Sequence, residues 1–147
     1  MSTNIYQTVA AEAWSVYTST QAKYRGPDYM KKLEPLYKTF YGELGKVDAV
    51  IGDLKKKTPP TEESLNAAAE AFTAMQTTLS SMEQVVSTFP TMDKQAINKQ
   101  ATLDQAAYKK IYGKAQDADA TMLLGCGNAL MGAQEAAGRA VGAFAPS

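Results

Sequence analysis

Apolar residues recur along this chain once per helical turn, and two stretches of that recurrence are long and regular enough to define its architecture. From Met30 the apolar positions are Met30, Leu33, Tyr37, Phe40, Leu44, Val47, Ile51 and Leu54, steps of three and four that put one continuous seam along a helix. After Thr58-Pro59-Pro60-Thr61 the same spacing returns at Leu65, Ala68, Phe72, Met75, Leu79, Met82, Val86 and Phe89. Two seams of equal length joined by so short a link predict an antiparallel hairpin with arms of about 30 residues, roughly 45 Å each.

The remaining segments read as helices around that hairpin. Ser2 or Thr3 is placed to cap a first helix with Ile5, Tyr6, Val9, Ala13, Val16 and Tyr17 on its apolar side, ending near Tyr24-Arg25-Gly26-Pro27. Pro35, early in the first arm, predicts a kink or a late start, because it has no N–H for the carbonyl of Lys31. Lys55, Lys56 and Lys57 suit the end of that arm, and Glu62 and Glu63 suit the first turn of the next, where the amide dipoles favour carboxylates. Pro90 closes the second arm, and Gly113 is a possible break between two further helices. The expectation is an all-α antiparallel bundle, one domain over 1–147, with helices at about 3–23, 28–57, 61–89, 93–112 and 116–144.

The last segment differs from the others. One apolar stripe holds Leu123, Cys126, Leu130, Ala133, Ala137, Val141 and Phe144, and a neighbouring stripe of mostly small residues holds Met122, Gly125, Ala129, Gly132, Ala136 and Ala140. Only a narrow strip of Asp117, Thr121, Asn128, Glu135 and Arg139 stays polar, with Glu135 and Arg139 spaced for an ion pair. A helix apolar around so much of its circumference belongs at the centre of a monomer or between subunits. Its glycines each cost up to about 1 kcal/mol of helix propensity, which packing has to recover. If 92–144 were one helix it would run about 80 Å, leaving apolar surface for another molecule to cover.

Composition narrows the chemistry. The chain has no histidine and a single cysteine, so imidazole bases, Ser-His and Cys-His pairs, histidine-ligated metals and thiolate clusters are all excluded. Cys126 sits among leucines and glycines and reads as a small core residue, not a nucleophile. Asp117 and Asp119 read as a solvated stretch ahead of a helix, and no cofactor or metal is expected.

Fifteen basic and fifteen acidic residues leave no net field, and only two of the bases are arginine, which argues against nucleic acid. Charge is unevenly laid out, however. Residues 61–90 carry Glu62, Glu63, Glu70 and Glu83 with no base, natural neighbours for basic segments in a bundle or across a subunit contact. The fifteen uncharged residues of 120–134 fall short of the roughly 20 needed for a constitutive membrane span. The start lacks a Sec-type signal pattern, which fits a cytoplasmic protein or one exported without a cleavable signal.

With no chemistry-bearing set, the sequence points to a non-catalytic helical protein that works by self-association or contact with another helical protein: a filament or oligomer subunit, or a secreted structural protein. Half-buried tyrosines and the small-residue stripe mark the expected interface, namely Tyr24, Tyr29, Tyr41, Tyr108 and Tyr112 with Gly125, Ala129, Gly132, Ala136 and Ala140. The alternatives are a monomer holding an apolar small molecule or lipid among Phe72, Met75, Met82, Met122 and Phe89, and a protein that inserts its last helix into a membrane on assembly.

Overall fold

The computed structural model describes residues 3–20, 27–57, 59–88 and 105–142, with the side chains at 19, 20, 27, 88 and 105–117 left out. Five helices make up these residues: α1 (Ile5–Thr20), α2 (Pro27–Leu44), α3 (Val47–Lys56), α4 (Glu62–Thr88) and α5 (Gln105–Gly142). The fold is an all-α bundle, as the hydrophobic periodicity predicts. The two seams meet: α4 packs against both α2 and α3, and Leu33, Tyr37, Phe40, Leu44, Val47, Met75, Leu79 and Met82 are all buried in one core.

The first arm is two helices, not one. α2 runs through Pro35 without ending, and the interruption comes instead at Gly45 and Lys46, where the Lys46 N–H reaches back three residues to Glu43. The break leaves the Leu44 carbonyl without a helical donor, while the Tyr41 carbonyl already accepts from the Gly45 N–H at 3.1 Å, and the start of α1 brings a donor to each. The Asn4 amide donates to the Leu44 carbonyl at 2.7 Å, and the Gln7 amide donates to that of Tyr41 at 3.1 Å. A Cβ on Gly45 would lie 2.7 Å from the Gln7 amide nitrogen, so the absence of a side chain there leaves Gln7 its place.

Caps set two of the helix starts. Asn4, not Ser2 or Thr3, caps α1: its side chain accepts from the Gln7 N–H at 2.8 Å while the Gln7 side chain accepts from the Asn4 N–H at 3.1 Å, a reciprocal box. Thr61 caps α4 by accepting from the Ser64 N–H at 3.0 Å, in the place the Pro-Pro link predicts.

α5 touches each of the other four helices, while one face of it, with Leu124 and Met131, stays exposed. It is 38 residues long, about 57 Å, and passes through Gly113 unbroken, where two helices at 93–112 and 116–144 were expected. The section of that expectation at 93–104 lies outside the described residues. One glycine costs only about 1 kcal/mol of propensity, too little to end a helix this long once its other residues are packed. Both stripes on α5 are used inside the chain: Met122, Cys126, Ala129, Leu130, Ala133, Ala137 and Ala140 are all buried.

Candidate functional site

Small residues let α1 and α5 approach closely. A Cβ added to Gly125 would overlap the Cβ of Ala13, so the two backbones are nearer than an alanine there would allow. Seven residues on, a Cβ at Gly132 would touch the Tyr6 ring at 3.6 Å, ordinary contact. These contacts run in opposite senses along the two helices, so α1 lies antiparallel to α5.

Farther along the same seam is a polar cluster. The Tyr17 hydroxyl donates to Asp119 Oδ1 at 2.6 Å and lies 2.6 Å from the Tyr29 hydroxyl. With the Tyr17 proton committed to the carboxylate, Tyr29 is the donor of the second bond, so the chain runs Tyr29 to Tyr17 to Asp119 and ties α1, α2 and α5 together. Tyr29 is fully buried, Tyr17 is 2% exposed and Asp119 is 8% exposed. Burial, followed by the hydrogen bonds to Asp119 and Tyr29, holds the Tyr17 hydroxyl far above its ordinary pKa. Asp119 is therefore not a solvated residue preceding a helix; it is a buried acceptor inside one. Next to it Trp14 stacks on Tyr37 at 4.2 Å with rings 5° apart, and Tyr37 tilts against Tyr41.

The cluster carries no evident chemistry. The two hydroxyls and Asp119 Oδ1 are spent on one another, and Cys126, fully buried nearby, has its thiol pushed up to about 12 by desolvation, so it is no nucleophile at neutral pH. Among the described residues no group of three or more His, Cys, Asp or Glu is placed to hold a metal. No helix of the described residues is long and apolar enough to cross a membrane.

Several residues expected at an interface are spent within the chain. Tyr29 belongs to the polar cluster, Ala129 and Ala140 are core, and Gly125 and Gly132 face α1. Tyr41 is half-buried beside Tyr37, and Ala136 lines a groove. Tyr24 lies outside the described residues, as do the side chains of Tyr108 and Tyr112. The Glu135–Arg139 pair does not form either: the ion pairs among the described residues include Lys38–Glu34 and Lys56–Asp53, both exposed and worth little.

The apolar surface left over lies elsewhere, and part of it is the side of the first helix that the periodicity had turned inward. On α1, Ile5 is 68% and Val16 62% exposed, with Val9 at 37%; the buried side of that helix is Gln7, Ala10 and Tyr17 instead. On α5, Leu124 is 63% and Met131 56% exposed. The α2–α4 hairpin exposes only one large apolar residue to this degree among those described, Leu65. The α1–α5 layer also has helical glycines with no reason inside the chain: a Cβ at Gly127, Gly138 or Gly142 would meet nothing within 4 Å. Each gives up about 1 kcal/mol against alanine without a close contact in return.

Past the N-terminal end of α1 an open groove of about 580 Å³ separates α3 from α5, floored by Tyr6, Ile51, Ala136 and Ala140 and rimmed by Asp48, Lys55 and Arg139. It exists because α1, at 16 residues, is too short to cover the far end of α5. Its charged rim and open mouth differ from the enclosed apolar cavity that the ligand alternative requires. Met75, Met82 and Met122, expected to line such a cavity, are packed into the core.

Compared with known proteins, the chain matches no family model, no curated sequence and no solved structure.

Proposed function

We propose that this protein is a non-catalytic helical module that works by association, as a subunit of a homo-oligomer or filament. The observation that supports the reading is the location of its exposed apolar side chains. Ile5, Val9, Val16, Leu124 and Met131 all lie on the two helices that form one side of the bundle. Scattered exposed apolar residues are ordinary on a protein surface, whereas their concentration on one layer marks a contact face. The Tyr29–Tyr17–Asp119 hydrogen bonds add support of another kind, because they join three helices to one another instead of facing a substrate.

Sedimentation velocity over a wide concentration range tests this reading. The expected result is a sedimentation coefficient that rises with concentration at near-physiological salt. A chain that stays strictly monomeric at the highest concentration would remove the basis for it.

A further inference from the structure

At about 100° per residue, Ala120, Leu124, Gly127, Met131, Gly138 and Gly142 fall within about 60° of one another on α5. This strip lies on the opposite side of the helix from the buried Cys126 and Ala133. It is a second seam, with large residues at Leu124 and Met131 and small ones at the other four positions. Nothing within the chain approaches any of its three glycines, which is also true of Gly42 on α2 and Gly52 on α3; only on α5 do such glycines line up with exposed large apolar residues.

We infer that this strip is the contact between two copies of the chain, in which the α5 helices lie antiparallel across a two-fold axis at Met131. The inference rests on the self-association reading and specifies its face and register. Placing Met131 against Met131 of the copy sets Leu124 opposite Gly138 and Ala120 opposite Gly142. Leu124 and Ala120 then fall into the spaces that glycines leave, Glu135 at the exposed edge of the strip lies opposite Gly127, and the arrangement is self-complementary, as a two-fold contact must be.

The size of the face sets the strength. Along 120–142 the strip is roughly 33 Å long and roughly 10 Å wide, about 330 Å². The outer flank of α1, with Ile5 and Val9 exposed beside it, adds roughly 240 Å² by the same reckoning. Together they fall short of the roughly 800 Å² per partner of a standard stable interface. The contact therefore belongs with weak, reversible associations, and its expression depends on concentration.

Cysteine cross-linking and a charge substitution on the full chain test the inference. In the proposed register only position 131 meets its own copy, whereas the two copies of position 124 lie about 21 Å apart, beyond the roughly 7 Å Cα spacing a disulfide permits. Met131→Cys is expected to give covalent dimers under mild oxidation, and Leu124→Cys is expected not to. Cys126, being fully buried, contributes no background. Met131→Glu puts two like charges on the axis at a position already 56% exposed, so helix content should hold while the dimer dissociation constant rises about tenfold or more.

If the wild type associates but Met131→Glu associates equally well, or Met131→Cys gives no covalent dimer, this face is not the contact and the general reading survives. Cross-linking of both cysteine variants would overturn the antiparallel register. A wild type that never associates overturns both.

Discussion

Replacing Tyr17 with phenylalanine tests whether the buried polar cluster holds the bundle together. The substitution keeps the ring, which is 2% exposed, and deletes one oxygen that makes two hydrogen bonds of 2.6 Å. The bond to the Asp119 carboxylate is charge-assisted, for which about 1.5–3 kcal/mol is typical, and the neutral bond from Tyr29 adds about 0.5–1.5 kcal/mol. Asp119 and Tyr29 retain other interactions, so the lower part of that range applies, about 2–3 kcal/mol. Against a total stability of about 5–15 kcal/mol the loss is large. In thermal melts it corresponds to roughly 5–10 °C for a chain of this length. Urea unfolding followed by circular dichroism is the assay, with the slope m unchanged and the midpoint lowered. Two variants frame the result. Tyr37→Phe deletes a hydroxyl for which the structure shows no hydrogen bond and should change stability by less than about 0.5 kcal/mol. Asp119→Asn keeps an acceptor for Tyr17 and should cost less than Tyr17→Phe. If Tyr17→Phe proves as neutral as Tyr37→Phe, the cluster is incidental and the account of how α1 is anchored fails.

Alkaline pH should unfold the protein, because Tyr17, Tyr37 and Cys126 are all held protonated in the fold, Tyr37 and Cys126 up to about 12. Groups raised in this way stabilise the fold fully below their unfolded values, near 9 for the thiol and 10 for the tyrosines, and lose that contribution as pH rises through the folded values. At pH about 11 the thiol alone removes roughly 3 kcal/mol and each tyrosine roughly 1 kcal/mol, and Cys126→Ala should flatten the fall between pH about 9 and 11. Gly125→Ala should cost about 1–3 kcal/mol in urea unfolding, since the new methyl collides with Ala13. Gly52→Ala, in open space on α3, should gain about 0.5–1 kcal/mol, and equal effects at the two sites would contradict the close approach of α1 to α5. Asn4→Ala removes the box at the start of α1 and the bond to the Leu44 carbonyl, an expected loss of about 1–2 kcal/mol in the same assay; no loss would mean that the cap does not anchor α1.

The hairpin was legible in the order of residues because its information is local and repeated. Each step of three or four from Met30 to Leu54 and from Leu65 to Val86 reports the same helical period, and the Pro-Pro link reports the reversal. The contact of the last helix with every other helix was legible in part for a similar reason, since a helix apolar over most of its surface needs cover on several sides, although its Leu124 and Met131 stay exposed. What remained undetermined were choices between neighbouring faces. On α1 the period put Ile5, Tyr6, Val9, Ala13, Val16 and Tyr17 on the inner side; Tyr6, Ala13 and Tyr17 do face the bundle, but the helix is turned so that Gln7 and Ala10 are buried and Ile5, Val9 and Val16 exposed, with Gln7 reaching the carbonyl of Tyr41. On α5 the small-residue stripe could face another subunit or this chain's own α1, and Ala13 and Tyr6 occupy it.

Asp119 is the clearest case of information that no local window contains. Beside Asp117 it looks like part of a solvated turn, and its acceptor role is created by Tyr17, 102 residues earlier in the chain. Periodicity specifies which residues must leave water, because that cost attaches to each side chain separately. Which partner covers each face, and which polar groups are buried with it, depends on how five rods fit together, and only the tertiary structure decided that.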